Sequence, residues 1–428
     1  MLVWWGIVGL VGIGRAEIHA YTLSNGIQAY VDDRHHIEQI SMEVHIDFQP
    51  VHSKPGLAHM VEHLLFESAP HTENGQYEQT IQKANGQSNA KTHWDSIVLE
   101  STFDSGALES VLFLEADRLT GLCTAVTEEN LENQRQIIAH EMLMESVRPM
   151  GGIPDKLRIA TFSEHPTFST EIMGLIYDIE NIHSQDVCKF VDTWFRAEQI
   201  SLFLVGDVDV QTIEQRLEYW FADIPESTTP PLVIPTLTMT PQHFFLEKPH
   251  ANSWLFLVFP IGARGSKEES VYDYLLQTMT EPSLYQNYPN LSYIGGWSQT
   301  DSFGGWMVFQ IRTENIDKAL QEFDALLQDT RLIAPAYILA NQQRNLALIT
   351  KMQMSNASTL QLLRICAQSI DDPTDCYRWH REHRGGFAVE DVNAILPLLS
   401  TKYATWLWVS STVPTSTTNT LHQWTELP

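Results

Sequence analysis

Two histidines and a glutamate stand close together in the stretch 56–67, which reads GLAHMVEHLLFE. His59 and His63 are four residues apart, and Glu62 precedes the second histidine. On a helix, residues i and i+4 lie on one face about one turn apart, so both imidazoles would point the same way. Two imidazole nitrogens on one face can take two corners of a zinc tetrahedron. The alternative is a solvated helix face that carries a histidine pair by chance.

Glu62 lies three residues after His59, on the same side of such a helix. A carboxylate there can take a proton from a metal-bound water, whose pKa zinc lowers to about 7. A third ligand must then come from elsewhere in the chain. The helical stretch 129–146 contains several acids, among them the candidates Glu132, Glu141 and Glu145. The residues alone do not choose among them.

The elements that would position these residues occur twice in the sequence. The stretches 40–48 and 253–261 both have the pattern of strands, and each is followed, after a loop, by a helical pattern. Near the end of each half a helix again precedes a strand. Asp186 and Asp391 in these helices are 205 residues apart, and the serines near the two strand starts are 212 apart. This nearly constant offset predicts an internal duplication.

Strands and amphipathic helices are mixed in both halves but are not strictly interleaved. This order favours an α+β fold over a doubly wound parallel sheet. A segment rich in proline and threonine, typical of an extended linker, lies between the halves. We therefore expect a first domain over 17–228, a linker over 229–240 and a second domain over 241–428. A helix cap is predicted at Ser184.

The N-terminus has the pattern of a secretory signal peptide. Residues 2–13 are apolar and uncharged, and they are too few to span a bilayer. We expect residues 1–16 to be removed, with a membrane tether or a misplaced start as the alternatives. The chain has an even number of cysteines, which permits disulfides in an exported protein, while free buried thiols are the alternative. They are Cys123, Cys188, Cys366 and Cys376.

With these residues in place, the sequence resembles the pitrilysin family, the M16 metallopeptidases. The reversed motif of His59, Glu62 and His63 is that of the inverzincins. The family places a further glutamate downstream in a phrase that begins Asn-Gln-Arg, and residues 133–141 match that phrase. The resemblance implies that Glu141 is the third ligand, that Zn²⁺ is the cofactor and that two homologous α/β-roll halves of the M16/LuxS-like type form the fold.

The segment 86–102 resembles the Gly-x-x-Asn-Ala-x-Thr strand of the same family. The resemblance implies that Asn89 and Ala90 lie on an edge strand beside the metal. An edge strand can bind an extended peptide through main-chain hydrogen bonds, which gives affinity with a loose sequence preference.

The second half departs from the family pattern. Family members carry an arginine and a tyrosine, seven residues apart, that steady the substrate carbonyl. Here Tyr293 is kept, but Gln286 stands at the arginine position and Asn290 at the position of a glycine. A guanidinium stabilises a developing oxyanion much better than an amide does. The chain therefore resembles the zinc-bearing, M16B-like subunit of a heterodimer whose second M16-type chain carries the Arg and Tyr. A homodimer, or a lone chain with weakened activity, is the alternative.

The sequence thus predicts a bacterial zinc metalloendopeptidase, periplasmic or secreted, with Glu62 as general base, Tyr293 as a further catalytic residue and unfolded peptides as substrates. A non-catalytic peptide-binding or assembly subunit with the same fold is the competing interpretation. The net charge of −27 argues against a nucleic-acid partner. No stretch after the N-terminus is long and apolar enough for an integral membrane span.

Overall fold

Two six-stranded sheets form the framework of the chain in the computed structural model. The structure describes residues 18–35, 38–49, 54–67, 69–147, 151–165, 168–226, 237, 239–248, 252–301, 304–352, 355–369, 374, 386–411 and 425–426. The predicted signal peptide and most of the predicted linker lie outside these residues, so the domain boundaries stay predictions. Within the described part, none of the helices combines the length and the apolar character that crossing a membrane requires.

The first half contains six strands and eight helices within the described residues. The strands are β1 Ile18–Thr22, β2 Gln28–Asp33, β3 Gln39–Asp47, β4 Gln87–Thr92, β5 Ser96–Asp104 and β6 Ile200–Gly206. The helices are α1 Leu57–Leu64, α2 Gln76–Lys83, α3 Leu108–Ala125, α4 Glu128–Ser146, α5 Ile153–Thr161, α6 Ile176–Glu180, α7 Ser184–Trp194 and α8 Ile213–Phe221.

The second half repeats this plan. Its strands are β7 His243–Glu247, β8 Trp254–Ile261, β9 Tyr293–Asp301, β10 Gly304–Arg312, β11 Thr405–Ser410 and β12 Thr425–Glu426. Its described helices are α9 Lys267–Met279, α10 Pro282–Tyr285, α11 Ile316–Leu326, α12 Pro335–Met352, α13 Asn356–Ser369 and α14 Val389–Ile395.

Strand order confirms the duplication. The first sheet runs β1-β2-β6-β3-β5-β4 and the second runs β12-β7-β11-β8-β10-β9. The pairs β2–β6 and β7–β11 are parallel, whereas the following pairs in both sheets are antiparallel. Five neighbouring strands therefore match in order and direction. Mixed, mostly antiparallel sheets with separate helices also confirm the predicted α+β class.

Each sheet buries one face against the helices of its own half. Alternate residues of β6, such as Leu202 and Leu204, point into the core formed with α1, α3 and α7, and both are fully buried. Burying one such side chain stabilises the fold by roughly 1.5–3 kcal/mol.

The opposite face of each sheet is covered by a helix from the other half. Phe203 and Val205 of β6 pack against Leu360 and Leu363 of α13, which belongs to the second half. Reciprocally, α5 of the first half packs on the second sheet, where Leu157 joins the same cluster as Val258, Val308 and Leu407. We call this reciprocal covering the helix exchange.

A chain of polar contacts crosses the seam between the halves. The side-chain amide nitrogen of Gln368 in α13 lies 2.9 Å from Nε2 of His45 in β3. The amide oxygen of Gln368 accepts a hydrogen bond from Arg264 at 3.0 Å. Arg264 in turn donates to Asp301 at 3.0 Å. Burial, together with the Asp95 carboxylate in the β4–β5 turn, raises the pKa of Asp301 to about 7, although Arg264 and Arg158 oppose the shift.

The sequence-based prediction of the N-terminal cap of α7 is misplaced by one residue. Helix α7 is capped by His183, whose backbone N–H donates to the Asp186 carboxylate at 3.0 Å, so the predicted cap at Ser184 is wrong by one residue. Asp391 makes the equivalent bond with the N–H of Ala388, at 2.7 Å.

The cysteines are paired where the structure describes them. Cys123 of α3 and Cys188 of α7 form a disulfide with a Cα–Cα distance of 5.0 Å. Cys366 is also disulfide-bonded, so the alternative of a free thiol is wrong for it, and Cys376 lies outside the described residues.

Candidate metal centre

Helix α1 is fixed at its start by a glycine. Gly56 precedes the helix with a φ of 82°, a left-handed conformation that residues with a Cβ rarely adopt. A Cβ at this position would lie 2.6 Å from the carbonyl oxygen of Met173 and 2.5 Å from a side-chain carbon of Ile179. The backbone therefore approaches the loop before α6 more closely than any other residue type would permit.

The apolar spacing of α1 orients its polar residues. Its buried residues are Leu57, Met60, Val61 and Leu64, which pack into the core of the first half. His59, Glu62 and His63 consequently lie on the half-buried side of the helix, as the i, i+3, i+4 pattern predicts.

Helix α4 brings the third candidate ligand. It starts at a capping box in which Asn130 N–H donates to the Thr127 hydroxyl at 3.2 Å and Thr127 N–H donates to the Asn130 side chain at 2.8 Å. Gln134 is buried and Glu141, two turns later on the same side, is exposed. Because α4 packs against α1, Glu141 lies opposite the two histidines.

His59, His63 and Glu141 form a cluster with the spacing of a metal site. The Nε2 atoms of the histidines are 3.3 Å apart, and Glu141 Oε2 lies 3.5 Å from His63 Nε2 and 3.9 Å from His59 Nε2. Two ligand atoms that each lie about 2.0–2.1 Å from a zinc ion and subtend a tetrahedral angle are about 3.3 Å apart. Two nitrogens and one carboxylate oxygen at these separations fit zinc and leave a fourth position open.

Burial keeps the first histidine neutral. The side chains of His59 and His63 are 13% and 14% exposed, against 44% for Glu141. Burial, with a smaller contribution from the charge of His63, lowers the pKa of His59 to about 4. A neutral imidazole offers the lone pair that a metal requires.

His63 is held by Gln134 of α4. The distance from His63 Nδ1 to Gln134 Oε1 is 2.9 Å, and the Gln134 amide nitrogen donates to a carboxylate oxygen of Glu67, just beyond the end of α1. The hydroxyl of Thr92, at the end of β4, donates to Glu62. Burial raises the pKa of Glu62, and the bond from Thr92 and the charge of His63 oppose that rise.

Strand β4 runs past α1 at the edge of the first sheet. It ends the strand order and pairs with β5 alone among the described strands, so its other edge is open. Asn89 is exposed and Ala90 half-buried. Ala90 and Thr92 lie on the face towards α1, since side chains alternate along a strand.

An open groove of about 650 Å³ adjoins the cluster. Its lining comes from α4, from the end of α1 and from the loop before α2, and consists of Glu67, Asn74, Asn133, Gln136, Ile137, His140 and Glu141. The groove places polar side chains and one apolar side chain beside a candidate ligand.

Tyr293 has no recorded contact with this cluster among the described residues. It is the first residue of β9, its ring is 5.8 Å from that of Trp254, and in the described part of the chain it makes no hydrogen bond or ion pair with the three candidate ligands. Asp301 ends the same strand near Asp95, three residues beyond Thr92. A nine-residue strand spans about 26 Å between its end residues, so Tyr293 lies at the opposite end of β9 from Asp301.

Three residues that orient Glu62 or His63 were not assigned a role from the sequence: Thr92, Gln134 and Glu67. Gln134 could have been found, because it precedes Glu141 by seven residues and so shares its helix face. Glu67 could not, since its contact with Gln134 joins segments that are 67 residues apart.

Two family models match the chain. One, described as insulinase (peptidase family M16), matches residues 51–173, and the other, described as the peptidase M16 inactive domain, matches residues 181–346. Together they cover more than half of the chain, and the first contains all three candidate ligands.

Curated relatives include zinc proteases. The zinc protease PqqE of Helicobacter pylori is 28% identical over 161 residues, which are 37% of this chain and 36% of that protein. The mitochondrial-processing peptidase subunit beta of Lentinula edodes is 23% identical over 212 residues, 49% of this chain and 45% of that protein. The matched regions thus span only about a third to a half of these relatives.

Solved structures share the fold over most of the chain. A protease from Helicobacter pylori has a TM-score of 0.79 at 18% identity, with 92% of this chain and 99% of that one covered. The periplasmic protease PqqL from Escherichia coli has a TM-score of 0.75 at 15% identity, and the match covers 92% of this chain but 48% of that one. At these identities the likeness concerns the fold alone.

Proposed function

Because the chain belongs to the M16 family of peptidases, we propose that it is a zinc-dependent endopeptidase that hydrolyses unfolded peptides or small polypeptides. The observation that carries this proposal is the donor spacing of 3.3–3.9 Å among His59, His63 and Glu141. Zinc held by these residues would polarise the scissile carbonyl and make a water molecule acidic.

Glu62 is the general base in this proposal. Its carboxylate takes a proton from the attacking water as the new C–O bond forms, and then delivers that proton to the amine nitrogen as the C–N bond breaks. Thr92 holds the carboxylate in place through its hydroxyl. Burial of Glu62, which raises its pKa, moves the carboxyl towards the range that suits a base at neutral pH.

Strand β4 binds the substrate in this proposal. Its open edge offers unpaired N–H and C=O groups to an extended chain, and Asn89 and Ala90 lie along it, two to three residues before Thr92. A peptide paired there would pass beside Glu62. Folded proteins are poor substrates because they do not present a free extended segment.

A second M16-type chain completes the site. Gln286 replaces the expected arginine, and Tyr293 lies at the end of β9 opposite Asp301, without a hydrogen bond or ion pair to His59, His63 or Glu141 among the described residues. We therefore propose a dimer: either a heterodimer in which a different M16-type chain supplies the Arg and Tyr, or a homodimer in which Tyr293 of each copy serves the metal centre of the other. The coverage of only 48% of the Escherichia coli protein, by a chain that matches its first half, supports a functional unit of twice this size.

We propose export to the periplasm or the exterior of a bacterial cell. The disulfide between Cys123 and Cys188 supports this, because such bonds persist in oxidising compartments. The fold is shared with a protein described as a periplasmic protease. The apolar segment at residues 2–13 would be the export signal.

The second candidate function is a non-catalytic peptide-binding or assembly subunit. The description of the second family model as an inactive domain and the presence of Gln286 favour it. It predicts peptide binding without cleavage and no dependence on Glu62.

The decisive experiment compares the purified protein with Glu62→Gln. We would measure zinc per chain, oligomeric mass and cleavage of an unstructured peptide. One zinc per chain in both proteins, with a rate at least about 100-fold lower in the variant, supports the endopeptidase. Zinc without cleavage in either protein has two explanations: a binding subunit or an absent partner. Adding an Arg/Tyr-bearing M16-type chain distinguishes them, because cleavage would then appear only if a partner was missing. A wild-type protein that binds no zinc overturns the metallopeptidase proposal.

A further inference from the structure

We propose that Glu67 is a positioning residue for the metal centre, which acts through Gln134 to fix the ring of His63 with its Nε2 lone pair directed at the metal. This inference rests on the proposed function, because it assigns a role towards the same metal. Glu67 does not belong to the motif of His59, Glu62 and His63, and it lies four residues beyond its last histidine.

The first step is the orientation of the Gln134 amide. A carboxylate only accepts hydrogen bonds, so the group that faces Glu67 Oε1 must be the amide nitrogen of Gln134. The amide oxygen of Gln134 then faces the other way, towards α1. Gln134 is 4% exposed, so few water molecules compete for these bonds.

The second step is the choice of the His63 tautomer. The Gln134 oxygen only accepts, and it lies 2.9 Å from His63 Nδ1, so Nδ1 must carry the proton. His63 Nε2 is then unprotonated, and this atom is the one that lies 3.3 Å from His59 Nε2 and 3.5 Å from Glu141 Oε2. A carboxylate at the outer end also makes the imidazole a stronger donor to a metal.

The third step is the anchoring of Glu67 itself. Its backbone N–H donates to the carbonyl of Leu64 at 3.2 Å in the turn that ends α1, and its second carboxylate oxygen accepts from the Asn74 amide. The contacts therefore close a ring from α1 to α4 and back to the end of α1. We call the series of hydrogen bonds from Glu67 through Gln134 to His63 the carboxylate–amide relay.

The other histidine has no such support in the described structure. His59 Nδ1 is buried and makes no hydrogen bond to any described residue. The relay therefore acts on one of the two imidazoles, and the loss of Glu67 should be felt at the metal through His63.

The first test is Glu67→Gln. A glutamine can donate or accept, so it no longer dictates which way the Gln134 amide faces. We expect zinc affinity, measured by competition with a chromogenic chelator, to fall by about 10- to 100-fold with little change in the circular dichroism spectrum. The matched control is Glu73→Gln, which removes one negative charge from an exposed side chain in the same loop and should change the affinity less than about threefold.

The second test exchanges the two side chains. Gln134→Glu alone sets two carboxylates against each other. When Glu67→Gln is added to it, the new glutamine donates to Glu at 134, which still accepts from His63. The same substitution should therefore raise zinc affinity in the Gln134→Glu background, although it lowers affinity in the wild type. A purely structural role for Glu67 predicts loss in both backgrounds.

The outcomes separate this inference from the proposed function. A wild-type protein that binds zinc, with a Glu67→Gln variant of equal affinity, overturns the relay and leaves the peptidase proposal standing. Equal losses of affinity in both backgrounds also overturn the relay. A wild-type protein without zinc affinity overturns both together.

Discussion

At the scale of single residues, the candidate catalytic carboxylate is held by one hydroxyl. Thr92 donates to Glu62 from the last position of β4 and so links the general base to the strand proposed to bind substrate. A hydrogen bond to a charged group contributes about 1.5–3 kcal/mol. Its loss should therefore be visible in turnover.

Thr92→Val tests this bond, because valine keeps the shape and removes the donor. We expect kcat/KM to fall by about 10- to 100-fold while zinc content stays at one per chain. Thr120→Val, an equivalent change on α3 that removes only a bond to its own helix, is the control. Equal kcat/KM for Thr92→Val and the wild type would show that Thr92 does not orient the base.

At the scale of elements, the start of α1 decides where both histidines lie. Gly56 adopts a left-handed φ and contacts the loop before α6 without room for a Cβ. Any shift of this turn moves His59, three residues later. A substitution at Gly56 that strains the backbone would therefore also change the geometry of the metal centre.

Gly56→Ala should lower the free energy of unfolding by about 1–3 kcal/mol and weaken zinc binding. Gly75→Ala is the matched control, because Gly75 also precedes a helix with a positive φ, of 77°, but a Cβ there meets only a side-chain nitrogen at 3.9 Å. Thermal melts and chelator competition measure the two effects. Equal losses of zinc affinity in both variants would contradict the steric explanation.

At the scale of the whole molecule, a buried carboxyl lies on the seam between the halves. Burial and Asp95 raise the pKa of Asp301 to about 7 from an ordinary value of 3.8. The folded protein therefore binds a proton that the unfolded chain releases between these two values. Stability should decline as the pH rises through this window, and the loss should be complete above about pH 7.

Asp301→Asn removes the titration and keeps an acceptor for Arg264. We expect the melting temperature of the variant minus that of the wild type to be greater at pH 8 than at pH 5, by about 2 °C or more, in the presence of a chelator. Asp223→Asn, at an exposed aspartate, is the control. The same difference at both pH values would show that Asp301 does not titrate in this range.

The sequence was informative wherever the contacts are local or follow a short repeat. The spacing of His59 and His63 on one helix and the α+β class could be predicted because periods of two and 3.6 residues leave a direct mark on the chain. The duplication could be predicted because similar elements recur at a nearly constant offset. The choice of Glu141 required a family resemblance, since other acids on its helix, such as Glu132 and Glu145, were also candidates.

Contacts that depend on chain folding could not be predicted from local patterns. The pairing of Cys123 with Cys188 joins residues 65 apart, and the relay joins α1 to α4. The cap of α7 was misplaced at Ser184, because the N-cap position is occupied by His183 and the stabilising carboxylate comes from Asp186.

The helix exchange also has a consequence in time. Phe203 and Val205 leave the ribosome with β6, but the helix that covers them, α13, begins about 150 residues later. At about 5–20 residues per second, the synthesis of these residues takes about 8–30 s, and the apolar sheet face stays uncovered for that time. During this interval the nascent first half exposes the apolar face of its sheet and can aggregate. A chaperone that shields this face would protect the chain until α13 has been made.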